Sequence, residues 1–316
     1  MKSSSTVPAS HGAPWVSVVI GTYNCASWLP GLFECLERQT FRDFETVVVD
    51  DASTDGETMK ALEAQGDRIR LIRRNTNSRT CELPRYQGAK EARGAYCAFL
   101  DADDRWDPTF LERTVAYLRA HPDTPMVHTA VRVVDAVDQV LRIRHEHAMP
   151  EGPDLARRLL EHCYITVSAV VVRRDVWLQA LREVEINDFG MDLDFFLSIA
   201  QRYPVGFIPD VLASYRRSES SVSVQKWRRI PRNVVTLERI YRKGLWRGIA
   251  PRKEMRRILA DAYMENAQHH YFQGYPDRVP YFAARGWLHR PQDLRFPTWI
   301  LRAFLKRLAR ARAAAT

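Results

Sequence analysis

Three carboxylates fall within four residues at Asp101, Asp103 and Asp104, directly after the apolar run Ala95 to Leu100. Hard oxygen donors this close together suit Mg²⁺ or Mn²⁺, which keeps several waters and binds through one or two carboxylates plus substrate phosphates. An acidic turn capping a helix that begins near Pro108 would use the same residues. Two further carboxylates, Asp50 and Asp51, end the apolar run Phe44 to Val49, and Thr22, Tyr23 and Asn24 follow the β-branched run Val16 to Ile20. Each has a plain use: Tyr23 can cover a helix, Asp50 and Asp51 can cap one, and Thr22 can simply turn. Together they offer an aromatic plane for a base, carboxylates for base or ribose protons, and a divalent cation for a diphosphate. That set describes a nucleotide site. No G-x-G-x-x-G follows the first apolar run and no Walker sequence is present, so in such a site the metal replaces backbone amides as the phosphate partner.

The segments that must position these residues alternate. The spacing predicts strands over Val16 to Ile20, Phe44 to Val49, Arg68 to Ile72 and Ala95 to Leu100, with helices over Trp28 to Arg38, Glu57 to Gln65 and Leu83 to Ala92. Strand–helix alternation of this kind argues for an α/β fold: a mostly parallel sheet with helices on both faces and ligand at the carboxyl ends of the strands. Thr22, Tyr23, Asp50, Asp51, Asp101 and Asp103 then converge on one crevice. On an extended strand Asp101 and Asp103 face the same way and Asp104 the other. Later segments predict a helix at Leu111 to Leu118, paired strands at Met126 to Val134 and Gln139 to Arg144, a helix at Leu155 to Leu160, and strands at Thr166 to Val172, Val205 to Pro209 and Val211 to Arg216.

The runs Val16 to Asn24, Gln39-Thr40, Val48 to Gly56 and Ala98 to Asp104, in this order and spacing, resemble the family 2 glycosyltransferases over roughly residues 15 to 220. The resemblance implies a GT-A fold (Rossmann-like), a nucleotide-diphosphate-sugar donor, a divalent metal cofactor, Mn²⁺ or Mg²⁺, and inverting transfer to an acceptor hydroxyl. By the same resemblance Thr22 and Tyr23 border the base, Asn24 beside them belongs to the nucleotide-sugar site, and Asp50 or Asp51 accepts from the base. Arg85 lies near base or diphosphate, Asp101 meets the ribose and Asp103 holds the metal. The segment Asn187 to Leu197 resembles the family's Glu-Asp-x-Asp-Leu, which maps the catalytic base onto Asp192 with Asp188 and Asp194 as rivals. Three departures stand out: Tyr86 follows Arg85 where Asn is frequent, Met191 replaces the usual Glu, and Ser218 stands where many members carry a metal-binding His.

Composition bounds the rest. The five cysteines form no Cys-x-x-Cys pair, residues 1 to 14 are Ser/Pro/Ala-rich without an apolar core, and no run reaches the ~18 apolar residues of a membrane span. A cytoplasmic enzyme is the expectation, either free or peripheral at the inner face of the cell membrane. Residues 226 to 316 carry 21 Lys and Arg against 6 Asp and Glu, while residues 1 to 225 carry 26 against 32. This asymmetry predicts a flexible stretch over 1–14, a GT-A domain over 15–225 and a basic helical region over 226–316, with helices near Val234 to Lys243, Pro251 to His269 and Pro297 to Ala314. In the last, Leu301, Phe304, Leu305 and Leu308 share one face and Arg302, Lys306 and Arg310 another, a pattern that suits an anionic membrane surface. A packed helix shows the same pattern. His145 and His147 are expected to be solvated, and no groove-reading motif suggests nucleic acid. A sugar-phosphate nucleotidyltransferase and a catalytically inactive fold that recruits partners are the alternatives.

Overall fold

A computed structural model describes residues 12–144, 152–182, 191–217 and 234–314. The chain forms two compact units, Met1–Arg217 and Ser218–Thr316. The expected boundary at 225 lies outside the described residues, as do Ser218, His145, His147 and Asp188.

In the first unit the expected α/β fold is present. Strands β1 (Val16–Thr22), β2 (Phe44–Asp50), β3 (Arg70–Arg73) and β4 (Tyr96–Phe99) pair in parallel in the order β3-β2-β1-β4. Helices α1 (Leu29–Glu37), α2 (Gly56–Glu63) and α3 (Glu82–Glu91) connect them. The β-branched runs are buried almost throughout: Val18, Val19, Ile20, Val47, Val48 and Val49 expose nothing. Strands covered on both faces read as continuous apolar runs for that reason. Helix α3 lies close to β1, since a Cβ on Gly88 would meet Val19 Cγ1 at 2.4 Å. The Gly after Arg85-Tyr86-Gln87 therefore sets how near the α3 side chains come to the sheet.

Beyond β4 the sheet continues through β5 (Arg105–Trp106), β6 (Met126–Val134), β7 (Val140–Arg144), β8 (Val170–Arg173) and β9 (Val205–Arg216). The order across it is β3-β2-β1-β4-β8-β6-β9-β5, with β7 paired to β6. Strand β8 runs antiparallel to both β4 and β6, so β6 and β9 end at the same rim as β4. Helices α4 (Phe110–Ala120), α5 (Gly152–Glu161), α6 (Arg174–Arg182) and α7 (Met191–Ala200) complete the unit. The expected strand Thr166 to Val172 is divided, with a 3₁₀ turn at Val167–Ala169 before β8. The expected pair Val205 to Pro209 and Val211 to Arg216 is a single β9, in which the pairing register with β6 shifts near Ala130.

The second unit is helical: α8 (Val234–Lys243), α9 (Arg252–Phe272), α10 (Val279–His289) and α11 (Arg295–Ala314). It has its own core, with Met255, Leu259, Tyr263, Phe296 and Ala303 buried. Glu238 ties three elements together by accepting from Tyr263 Oη at 2.7 Å and pairing with Arg285 and His289. No described helix is long and apolar enough to cross a membrane.

Candidate active site

The ends of β1 and β2 are locked into one frame before any ligand is considered. Asn24 and Ala52 hold left-handed backbone, φ 46° and 61°, a conformation that non-glycine residues keep only where surroundings enforce it. The enforcement is visible. Asn24 Oδ1 accepts from the backbone of Thr54 and Asp55, its Nδ2 donates to Thr54, and its own N–H donates to Ser53 Oγ. Asp50 is fully buried and accepts from Thr22 Oγ1, Ser53 Oγ and Ser53 N. Asp51 accepts from Ser78 N and Oγ and pairs with Arg74 Nε at 2.7 Å. Thr22, Asn24 and Asp50 thus spend their polar atoms on the shape of the rim, whereas Tyr23 projects from it, 47% exposed.

The acidic cluster is built differently from the expectation. Strand β4 stops at Phe99, and residues 101 to 104 form a turn closed by Asp104 N donating to Asp101 O at 3.0 Å. The alternation rule of an extended strand therefore does not orient these carboxylates. Arginines do. Arg105 donates to the carbonyls of Ala102 and Asp104, and Arg216 Nε donates to the carbonyl of Asp103 at 2.9 Å. Asp104 turns inward, accepts from Arg216 N at 2.8 Å and is 1% exposed, where burial, with the charges of Asp103 and Asp101 behind it, holds its carboxyl well above the usual range. Asp103 is half-buried, and among the described residues no side chain hydrogen-bonds or pairs with its carboxylate. Burial and then the neighbouring charge of Asp101 push it up to about 6, against the pull of Arg216 and Arg105. An uncompensated carboxylate beside a second one fits a divalent cation, which would relieve both costs. Among the described residues there is no group of three or more His, Cys, Asp or Glu that could hold a metal, so most of the coordination shell would come from phosphate and water.

A single buried guanidinium joins the acidic turn to the expected base. Arg85 on α3 donates through Nη2 to both oxygens of Asp101, at 2.5 and 2.7 Å. Its Nη1 lies 3.6 Å from Asp192 Oδ1 in the first turn of α7. The Asp192 side chain keeps 38% of its exposure, but Oδ1 is sealed and takes no hydrogen bond. Burial raises its pKa to about 7, opposed by Arg85 and reinforced by Glu82, Asp101 and Asp194. The helix dipole that favours a carboxylate at this position is outweighed. Asp194, the described rival, is only 3% exposed. Asp192 is thus the one of the two that can meet a molecule entering the crevice.

The family model for glycosyl transferase family 2 matches residues 17–182, more than half of the chain. The chain belongs to glycosyl transferase family 2. Its relatives include the putative glycosyltransferase EpsE of Bacillus subtilis, 33% identical over 46% of this chain, a match that spans about half (51%) of EpsE. The putative teichuronic acid biosynthesis glycosyltransferase TuaG of the same organism is 25% identical over 68% of this chain and 84% of its own length. WfgD of Escherichia coli, a UDP-Glc:α-D-GlcNAc-diphosphoundecaprenol β-1,3-glucosyltransferase, is 24% identical over 69% of this chain and 83% of its own. Among solved structures, S. aureus TarS 1-349 in complex with UDP superposes with a TM-score of 0.59 at 20% identity, covering 94% of this chain and 87% of that one. At that identity the likeness speaks for the GT-A fold.

Within this family framework several positioning residues carry little sequence signal of their own. Ser168 accepts at Oγ from Asp101 N and at its carbonyl from Trp106 Nε1, so it fixes both ends of the acidic turn. Its one trace in the sequence is a buried hydroxyl inside the apolar run Val167 to Val172. Arg216, 2% exposed with Nη2 on Asp138, stands in a Tyr-Arg-Arg run that does not say which arginine turns inward. Register on β9 decides it.

Proposed function

We propose that this chain moves a sugar from a nucleotide-diphosphate donor, UDP-linked by preference, to an acceptor hydroxyl by direct displacement with inversion, in the synthesis of a bacterial surface polysaccharide or glycoconjugate. The observation that carries the reading is Arg85, which holds the donor-side Asp101 and the candidate base Asp192 to one guanidinium. What relatives act on and bind supports the donor class: WfgD uses UDP-Glc, and TarS has been crystallised with UDP and with UDP-GlcNAc. TuaG and WfgD support the surface-polymer setting.

In this reading Tyr23 stacks on the base, within a rim shaped by Thr22, Asn24 and Asp50, with Asp51 beneath it. Asp101, held by Arg85, accepts from the ribose. Asp103 would hold a divalent cation, Mn²⁺ or Mg²⁺, which when bound supplies Lewis-acid neutralisation of the leaving diphosphate. Asp192 takes the proton of the acceptor hydroxyl as that oxygen attacks the anomeric carbon. A carboxylate raised to about 7 is a stronger base than a solvated one and is still about half ionised at neutral pH. The test is an initial-rate assay with anomer analysis of the product, alongside donor Kd measured with Mn²⁺ and with EDTA. Asp192→Asn should slow transfer by about 10²- to 10⁴-fold with donor Kd unchanged. Transfer within about threefold of wild type would move the role elsewhere, and release of pyrophosphate from a sugar phosphate and NTP would replace the reading with a nucleotidyltransferase.

A further inference from the structure

Helix α11 is mounted with its basic side inward. Lys306 Nζ donates to the carbonyl of Tyr271 at 2.8 Å and Arg310 Nη1 to that of Gly274 at 2.8 Å, so both satisfy acceptors at the carboxyl end of α9. Phe296, Trp299 and Ala303 are buried on this side. At about 100° per residue the opposite side carries Leu301, Phe304, Leu305 and Leu308, which are 57, 55, 55 and 43% exposed. Arg302 and Arg307 occupy the two shoulders between these sides. Arg302 lies over the Trp299 ring at 4.9 Å, and Arg307 Nε pairs with Asp277 at 2.7 Å. A helix that turns four large apolar side chains to water, one turn apart and rimmed by guanidinium, has a second surface to meet.

We propose that this face docks on a bilayer that carries anionic lipid. Charge selects the occupant. Residues 234 to 314 carry 17 Lys and Arg against 6 Asp and Glu, so a second copy of the unit would bring like charge against like, while anionic headgroups complement it. The geometry is that of an interfacial helix: an apolar stripe below, with long basic side chains rising beside it to the headgroups. The inference concerns attachment and is independent of the sugar-transfer reading, because its readout is binding alone.

The full chain is sedimented with vesicles of phosphatidylcholine containing phosphatidylglycerol and with vesicles of phosphatidylcholine alone. It is compared with the variant Leu301→Ser/Phe304→Ser/Leu305→Ser/Leu308→Ser. All four side chains point outward, so an unchanged thermal midpoint confirms that this variant is folded. Wild type should partition to the anionic vesicles, with affinity falling as salt rises, and the variant should lose at least about tenfold in partitioning. Failure of wild type to bind anionic vesicles at low salt overturns the proposal. So does equal binding by the folded variant, or a wild-type dimer that ignores vesicles and is dissolved by the same four substitutions.

Discussion

The two units put basic side chains to different uses. At the crevice of the first unit, guanidinium groups sit behind carboxylates and loop carbonyls: Arg85 behind Asp101 and Asp192, Arg216 behind the turn at Asp103, Arg74 behind Asp51. Charged groups are thereby oriented before a substrate arrives, which is what a site gains from preorganisation. In the second unit acids are scarce, and Lys306 and Arg310 instead cap the end of α9, which leaves the apolar side of α11 facing out. A basic side chain turned toward its own fold meets an acceptor there, and whichever acceptor the fold supplies decides what the opposite side of the same helix must show. The first unit turns oriented polar groups toward a crevice, and the second turns an apolar face outward.

The comparison can be broken by substitutions that reverse which side of an element matters. The largest stability effect is expected at Trp299→Ala, which empties a site where the ring is 8% exposed and should cost about 3–5 kcal/mol by denaturant unfolding. A loss under 1 kcal/mol would mean that the inward side of α11 is not packed. Next, Arg85→Met leaves Asp101 and Asp192 without their shared cation. Both carboxylates are about a third exposed, at 34 and 38%, so solvent screens part of the penalty, and about 1–3 kcal/mol is expected.

The same variant sharpens the catalytic side of the contrast. A base must be deprotonated, so the transfer rate should rise with pH through about 7 and level off above it. Arg85 lowers the pKa of Asp192, so its removal should move that rise to higher pH. A pH–rate profile that keeps its inflection in Arg85→Met would separate Arg85 from the base. The smallest effect is expected at Leu305→Ser, an outward position 55% exposed, where stability should change by less than about 0.5 kcal/mol.

The α/β alternation, the carboxyl-end location of Asp50, Asp51, Asp101 and Asp103, and the basic character of residues 226 to 316 were legible because each is a local property. A β-branched run, a turn composition or a charge count needs no partner elsewhere in the chain. The candidate base at Asp192 was legible through its motif, and its place beside the rim rests on Arg85 of α3 reaching the first turn of α7.

What tertiary structure alone decided is which polar groups are spent and which are free. Asp50 and Asp103 look alike in sequence, each an acid at the end of an apolar run. Asp50 is consumed by Thr22 and Ser53, while Asp103 is left open because Arg216, 113 residues away, holds its carbonyl and not its carboxylate. The direction of Asp101 was set by Arg85 and not by strand alternation, since β4 ends before reaching it. Periodicity found the two faces of α11 correctly, yet an amphipathic helix is symmetric with respect to which face is packed until a neighbour is present. The carbonyls of Tyr271 and Gly274 supplied that neighbour, because an unsatisfied helix end and a long basic side chain stabilise each other wherever the fold brings them into reach.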